Sequence, residues 1–218
     1  MRLEAVKSVA KHVILAVALI VTAPLWILSQ LQWFLFRSHS LFQAISALLS
    51  LFPGKSGSYL RVAFHKVALR HCASDCFIGF GTFFSSREAV LGKRVWIGAK
   101  CTVGKATIGD YTLIGSNVDI PSGQHQHIFS DPDKLICEQG GRYERVSIGR
   151  DCWIGNGSIV MADVGDRCII GAGSVVTKPI EANSIAAGVP AKVISQRPTR
   201  EVQSEKEATV RTGEGTGS

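Results

Sequence analysis

The sequence predicts an all-β solenoid preceded by membrane-associated helices, and three observations lead to this fold class. Apolar residues recur at every sixth position from Ile78 onward and are usually followed by glycine. Residues 13–36 form an apolar run without a single charge. The six-residue pattern stops once, at residues 121–145, where two histidines stand one residue apart. The repeat defines the fold, and the run and the interruption indicate where attachment and chemistry lie.

The six-residue repeat is the main evidence for the solenoid. An α-helix repeats every 3.6 residues and a strand every two, so the pattern fits neither element alone. It is typical of a triangular coil in which each hexad supplies one short strand and a corner, with the aliphatic side chain inside. Roughly five such coils, about 4.8 Å apart, are expected. The clearest hexads begin at Leu91, Ile97, Ile108, Ile114, Ile148, Ile154 and Ile170.

Charge is concentrated in the first part of the chain. The protein has 218 residues and a formal net charge of +7. Residues 1–70 contain Glu4 as their one acidic residue, whereas the remainder is balanced. Because these basic residues flank the most apolar stretch rather than covering the repeat, they favour an anionic membrane surface as partner over nucleic acid.

The apolar run at residues 13–36 predicts a membrane anchor. About 20 apolar residues suffice for a helix to cross a bilayer. A cleaved signal peptide is disfavoured because the run is too long and no small-residue cleavage site follows it; a buried core helix is a further alternative. Basic residues on both sides of the run favour attachment from one face of the membrane. We therefore expect a re-entrant hairpin broken near Pro24, or two embedded segments.

The predicted organisation has three parts. Residues 1–70 form a membrane-associated helical region, in which residues 52–72 make a turn and a basic amphipathic helix lying on the membrane. Residues 71–198 form the β-helix, with an extruded loop at 121–145. Residues 199–218 are polar, with alternating charge, and are predicted to be a disordered tail.

The six cysteines show no paired zinc-binding spacing. Three of them fall at one phase of the repeat, so we interpret these as small core residues. This usage favours a reducing compartment.

Residues 78–194 resemble the hexapeptide-repeat acyltransferases, and the ending "IGAGSVVTKPIEANSIAAGVPAKVI" at residues 170–194 carries the resemblance most closely. The resemblance implies a left-handed parallel β-helix that assembles as a homotrimer. It also implies an acyl-CoA donor, with acetyl-CoA as the default, and an extruded loop that reaches towards the neighbouring subunit.

The resemblance further implies that His125, in "SGQHQH", is the catalytic general base, with His127 as a possible helper. A thioester donor is already activated, so the acceptor hydroxyl needs only a group that removes its proton, a task suited to histidine. No covalent acyl-enzyme is required. Orientation of the imidazole by a carboxylate is expected, with four candidates in the loop: Asp131, Asp133, Glu138 and Glu144.

Donor-binding positions are transferred from the acetyltransferases residue by residue. Asn156 and Ala172 match positions that line the pantetheine groove, although solenoid geometry alone also explains Ala172. Thr177 and Lys178 match the nucleotide end, where a lysine meets a phosphate as a point charge. The remaining candidates follow the last coil, at Lys192 and Arg197. Arg197 is expected to replace a CoA-contacting arginine, since Ser195 stands at that arginine's position.

A zinc site is not expected. Some left-handed β-helices bind zinc with a third histidine from a neighbouring coil, but no histidine follows His127, and the hexads between Ile78 and Ile120 contain none. We therefore predict no metal.

The expected function is O-acetyl transfer from acetyl-CoA to a cell-surface polysaccharide precursor or lipid-linked sugar. The expected location is a bacterial inner membrane, with lipids bound through residues 13–70 and the catalytic domain facing the cytoplasm, where acetyl-CoA is found. Two alternatives stay open: acetylation of a small soluble acceptor or nucleotide sugar, and a non-catalytic membrane scaffold.

Overall fold

The computed structural model of the protein describes residues 2–198, with side chains from Val9 onward. The tail predicted to be disordered, residues 199–218, lies outside the described residues. Three helices come first: α1 at Arg2–Phe36, α2 at Ser40–Ser50 and α3 at Gly54–Ala68.

The rest of the described chain is a parallel β-solenoid of about six turns. Its strands are β1 His71–Cys72, β2 Phe77–Ile78, β3 Phe83–Phe84, β4 Val90–Leu91, β5 Trp96–Ile97, β6 Thr102–Val103, β7 Ala106–Ile108, β8 Leu113–Ile114, β9 Asp119–Ile120, β10 Val146–Ile148, β11 Trp153–Ile154, β12 Ile159–Val160, β13 Ile169–Ile170, β14 Val175–Val176, β15 Ser184–Gly188 and β16 Ala191–Gln196. The predicted hexapeptide solenoid behind N-terminal helices is confirmed, with about one turn more than expected.

Three sheets form the faces of the prism. Face A contains β1, β4, β7 and β10, face B runs from β2 through β5, β8, β11 and β13 to β15, and face C contains β3, β6, β9, β12 and β14. Single bridges from Ile148 to Val164 and from Val164 to Ile180 continue face A where the sequence is shorter than a full coil. The last strand, β16, turns back and pairs antiparallel with β15.

The inward positions of the hexads make the core. Their aliphatic side chains are at most 1% exposed at Leu91, Ile97, Ile108, Ile114, Ile148, Ile154 and Ile170. The repeat cysteines Cys101, Cys152 and Cys168 are buried as predicted, and burial raises the pKa of the Cys152 thiol to about 11. These thiols therefore stay protonated and act as small core residues.

The glycines that follow the inward aliphatic residues are needed for close approach between coils. A Cβ at Gly98 would lie 2.6 Å from the backbone carbon of Gly115 on the next coil, and one at Gly155 would lie 2.4 Å from the nitrogen of Ala172. The left-handed corner conformation falls instead mostly on non-glycine residues, among them Arg94, Lys100, Tyr111, Asn117, Asp151, Arg167 and Asn183.

The helices close the N-terminal end of the prism. α2 and α3 contact the first coil, and α1 packs on α2 and α3. Two expectations are wrong here. α1 continues through Pro24 as one helix, so no hairpin breaks at that residue. The apolar side of α3 faces the protein rather than lipid, because Val62, Ala63 and Phe64 are buried.

Candidate active site

The interruption of the repeat is a two-limbed loop between β9 and β10. Its limbs are joined at the base by backbone hydrogen bonds: the amide of Glu144 donates to the carbonyl of Ser122 at 2.9 Å, and the amide of Arg142 donates to that of His125 at 2.7 Å. Further out, the amide of Ile128 donates to the carbonyl of Gly140 at 3.0 Å. The pairing holds residues 122–128 opposite residues 140–144.

This pairing brings His125 and Glu144 together. Nδ1 of His125 lies 2.8 Å from Oε2 of Glu144, and both side chains are accessible to solvent. The hydrogen bond from His125 lowers the pKa of the Glu144 carboxyl. With Nδ1 engaged by the carboxylate, Nε2 is the nitrogen left to accept a proton.

Gly123 makes room for the carboxylate. Its φ is +81°, and a Cβ built there would lie 2.8 Å from Cβ of Glu144. The glycine therefore serves both the turn at the loop base and the position of Glu144.

The other three carboxylates are placed elsewhere. Asp131 pairs with Lys134 at 2.9 Å at the tip of the loop. The side-chain amide of Gln139 donates to the carbonyl of Asp131 at 2.9 Å and accepts from its amide at 3.0 Å. Asp133 and Glu138 belong to the same tip and make no hydrogen bond to His125 within the described range. Of the four carboxylates considered from the sequence, Glu144 is the one that contacts His125.

His127 lies on the same limb, exposed to solvent. Among residues 9–198, no hydrogen bond joins its ring to another side chain. The structure thus separates the two histidines: the ring of His125 is held by a carboxylate, whereas that of His127 is not.

Two of the predicted donor residues stand on neighbouring rungs of one corner, between faces B and C. The amide of Gly173, next to Ala172, donates to the carbonyl of Asn156 at 2.8 Å. Oδ1 of Asn156 accepts from the amide of Ser116 at 2.9 Å, so its side chain also joins successive coils. Asn156 lines a shallow groove of about 370 Å³ with Trp96, Leu113 and Trp153.

Two more predicted donor residues, Thr177 and Lys178, follow β14 near the loop base. The side-chain amide of Gln124 donates to the carbonyl of Thr177 at 2.6 Å, which links the residue before His125 to the fifth coil. Lys178 is exposed. No feature of the sequence indicated this contact, because 53 residues separate its partners.

The last two predicted donor residues lie apart from these. Lys192 is exposed on β16. Arg197 pairs with Asp151 at 3.2 Å and also donates to the Asp151 carbonyl at 2.8 Å, at a corner between faces A and B. One chain therefore distributes the six residues over several corners.

A cavity of about 670 Å³ lies where α2, the corner at residues 85–88 and the loop base meet. Its polar lining was not predicted. Partial burial raises the pKa of the Asp119 carboxyl. Partial burial and the charge of Arg87 lower the pKa of His39. The lining includes His39, Gln43, Arg87, Lys105, Asp119 and Gln126.

Comparison with known protein families identifies the type of repeat in part of the chain. The bacterial transferase hexapeptide (six repeats) family matches residues 145–178. This part of the chain therefore consists of hexapeptide repeats similar to those of bacterial transferases. The resemblance drawn from residues 78–194 is thereby confirmed.

One known protein is similar in sequence to part of this chain. Nodulation protein L of Rhizobium leguminosarum bv. viciae is 44% identical over 78 residues, which are 34% of this chain and 38% of that protein. The match thus spans less than half of the relative's length.

Solved hexapeptide-repeat structures match more of the chain. A galactoside acetyltransferase in complex with coenzyme A superposes with a TM-score of 0.59 and 25% identity, covering 74% of this chain and 82% of its own. A maltose O-acetyltransferase from Clostridium difficile 630 superposes with a TM-score of 0.57 and 24% sequence identity. The match covers 72% of this chain and 86% of that protein.

Proposed function

We propose that this protein is an acetyl-CoA-dependent O-acetyltransferase. It transfers acetyl to a hydroxyl of a cell-surface polysaccharide precursor or lipid-linked sugar. The observation that carries the proposal is the 2.8 Å contact between His125 and Glu144 on the one loop that leaves the solenoid. The galactoside acetyltransferase with bound coenzyme A supports the donor class.

In the proposed reaction, Nε2 of His125 removes the proton from the acceptor hydroxyl as its oxygen attacks the thioester carbonyl. Glu144 holds the imidazole by Nδ1 and offsets the positive charge that forms on it. A backbone N–H stabilises the oxyanion of the tetrahedral intermediate. The intermediate collapses and releases the CoA thiolate, which takes up the proton. No acyl-enzyme forms and no metal takes part.

Donor binding is proposed along the corner of Asn156 and Ala172, with Thr177, Lys178, Lys192 and Arg197 towards the nucleotide. These residues are spread over several corners of one chain, so a complete donor site needs a second copy. We therefore include a homotrimer in the proposal. Exposed apolar side chains on the loop, Phe129 at 77% and Leu135 at 66%, support contact with a neighbouring subunit.

Acceptor binding is proposed in the 670 Å³ cavity beside the loop base. A saccharide is recognised by many hydrogen bonds, and Gln43, Asp119 and Gln126 supply donors and acceptors there. Because α2 lines the cavity next to the apolar helix, an acceptor held at the membrane reaches it directly. This favours a lipid-linked precursor over a small soluble acceptor or a nucleotide sugar.

Membrane attachment within residues 13–70, through the exposed apolar side of α1, completes the proposal. The described chain contains one helix, Val9–Phe36, long and apolar enough to cross a membrane. The proposed location is the inner membrane of a bacterium, with the solenoid on the cytoplasmic side, where acetyl-CoA is available.

The test is release of the CoA thiol from acetyl-CoA by the full-length protein. The released thiol is measured with a thiol-reactive dye, and a Cys137→Ser background removes the exposed cysteine that would also react with the dye. His125→Ala is expected to lower kcat by about 10²–10⁴-fold. His71→Ala, at an exposed site away from the loop, is the control. Thiol release from His125→Ala at the rate of the His71→Ala control would overturn the role of His125, whereas no release from the unsubstituted protein would favour the scaffold.

The acceptor is tested by mass spectrometry of surface glycans from cells with and without the protein. Loss of acetyl groups from a polymer supports the proposed acceptor class. An unchanged polymer, with purified protein that acetylates a free sugar or nucleotide sugar, would replace it by the soluble alternative.

A further inference from the structure

α1 attaches to the rest of the protein along a single stripe. Leu15, Ala18, Thr22 and Ser29 are buried, at spacings of three, four and seven residues. Residues at these spacings share one face of a helix. The protein covers this face over several turns, so α1 lies along the capping helices rather than projecting from them.

The opposite face of α1 is apolar and exposed. Six large side chains on it, spaced by three, four or seven residues, are 51–74% exposed. At 1.5 Å per residue the stripe is about 37 Å long. It contains Val9, Val13, Ile20, Ile27, Leu31 and Phe34.

Polar contacts fix α1 to the protein well inside its apolar run. Nη2 of Arg87, on the solenoid, donates to Oγ of Ser29 at 3.1 Å. The amide of Leu41, at the start of α2, donates to Oε1 of Gln32 at 2.8 Å. Towards the other end, Lys11 and Lys55 line one cavity of about 280 Å³ between α1 and α3. Polar contacts therefore hold α1 at the C-terminal end of its buried stripe, and the burial of Leu15 and Ala18 holds the N-terminal end.

This attachment is incompatible with a helix that crosses the bilayer. If α1 spanned, Ser29 would lie within the hydrocarbon and would carry the guanidinium of Arg87 and its corner of the solenoid with it. A charged side chain within the hydrocarbon is costly, and irregular backbone does not face lipid. The alternative is a helix parallel to the membrane plane, with its exposed stripe facing the hydrocarbon of the bilayer.

We propose that α1 lies flat in the interface of an anionic bilayer, its stripe from Val9 to Phe34 inserted and the solenoid standing away from the membrane. This inference rests on the membrane attachment proposed above and specifies its geometry. The packing supports it, since α2 and α3 contact the first coil and α1 packs against both of them through the face opposite its exposed stripe. The protein is thus attached from one side.

Charge selects the lipid. The N-terminal region is strongly basic, because residues 1–70 contain eight lysines and arginines and one acidic residue, Glu4. Arg37 directly follows α1, with its guanidinium 4.6 Å from the ring centre of Trp33. A basic segment next to an exposed apolar helix face fits the headgroups of anionic lipids. A second copy of the chain would bring the same cations together, so a bilayer is the better partner.

The experiment measures how deeply spin labels on α1 lie in a lipid bilayer. Single cysteines replace Val13, Ile20, Ile27 and Phe34 in the Cys137→Ser background, and each carries a spin label. The protein is reconstituted in vesicles of phosphatidylglycerol and phosphatidylethanolamine, and label depth is obtained from accessibility to oxygen and to a nickel chelate. Lys93→Cys on the solenoid is the aqueous control.

We expect all four labels at one shallow depth, about 5–10 Å below the phosphates. A spanning helix would instead place Ile20 and Ile27 near the bilayer centre, about 15 Å deep, with Val13 and Phe34 near opposite surfaces. That profile would overturn the inference. Spin–spin broadening with labels shielded from both reagents would overturn it in favour of a second copy.

A binding measurement separates this inference from the enzymatic proposal. Ile20→Glu with Ile27→Glu is expected to reduce flotation with anionic vesicles at least tenfold, whereas Lys93→Glu is not. Thiol release in detergent tests the enzyme independently. A chain that transfers acetyl but floats with no vesicle overturns the membrane geometry alone.

Discussion

Oγ of Ser46 on α2 lies 3.0 Å from Nε2 of the buried His65 on α3. The other ring nitrogen, Nδ1, lies 2.7 Å from the carbonyl of Arg61, to which it donates. The same Ser46 oxygen accepts from the amide of Phe84 on β3 at 2.9 Å. One neutral imidazole and one hydroxyl thus connect two helices to the first coil.

The protonation state of His65 predicts how stability depends on pH. Burial, with a smaller effect from the charge of Arg61, lowers the pKa of His65 from its ordinary value of 6.5 to about 3. Between these values the unfolded chain binds a proton that the folded chain does not, so stability is full above pH 6.5 and decreases as pH falls. By linkage the loss at pH 5, relative to a pH well above 6.5, is about 2 kcal/mol.

This expectation is checked by unfolding at several pH values in one detergent. His65→Gln lowers stability overall but flattens its pH dependence in that window. His71→Gln, exposed on β1, retains the native slope. An equal slope in all three proteins would contradict the assignment to His65.

Arg61 is expected to contribute strongly to stability, although it forms no ion pair within the described part of the chain. Its buried guanidinium donates to the carbonyls of Leu49, Phe52 and Ile78 at 2.8–3.1 Å. Burial lowers its pKa to about 10, so the group remains charged at neutral pH. Arg61→Met leaves these carbonyls without the guanidinium, and each buried unsatisfied acceptor costs about 1–3 kcal/mol.

The total loss for Arg61→Met is expected to exceed about 3 kcal/mol, measured by thermal unfolding. Arg70→Met removes an exposed pair to Glu88 at 3.4 Å and should cost less than about 1 kcal/mol. Similar melting temperatures for the two variants would contradict a stabilising role for the hydrogen bonds of Arg61.

Glu144→Gln tests the positioning of His125. The amide still accepts from Nδ1 but carries no charge to offset the imidazolium, so kcat should fall about tenfold or more, equivalent to about 1.4 kcal/mol. KM for acetyl-CoA should not change, and Glu144→Asp should recover part of the activity. Glu138→Gln, at the loop tip, is the matched control. An equal decrease in kcat for Glu144→Gln and Glu138→Gln would show that Glu144 has no specific role in the mechanism.

Gly123→Ala should act through Glu144. The added Cβ meets Cβ of Glu144 at 2.8 Å and must be accommodated at positive φ. We expect kcat to fall about tenfold, whereas the melting temperature should change little, because the loop lies outside the core. Gly140→Ala has similar φ, +77°, but nothing within 4 Å of its Cβ. If both variants reduce kcat equally, backbone strain rather than contact with Glu144 is the cause.

Asp119→Asn tests the acceptor cavity. Loss of a charged hydrogen-bonding group should raise KM for the acceptor about tenfold, since charged hydrogen bonds contribute about 1.5–3 kcal/mol. KM for acetyl-CoA should stay unchanged. Asp133→Asn on the loop tip serves for comparison, and a change in both KM values for Asp119→Asn would move the residue out of the acceptor site.

The sequence alone determined the solenoid and the position of its interruption. A period of six is a local property, so each inward residue, such as Ile97 or Ile154, is recognisable without knowing its neighbours in space. The same is true of His125, because a break in a regular pattern is visible in one dimension. The apolar run at residues 13–36 was equally evident.

Only the tertiary structure decided which groups meet. Glu144 was one of four equal candidates until backbone pairing of the loop limbs placed it against His125. The stripe by which α1 attaches depends on α2, α3 and Arg87, none of which the hydropathy of α1 encodes. Hydrogen bonds between residues far apart in the chain depend on how the folded elements are arranged, and periodicity carries no record of that arrangement.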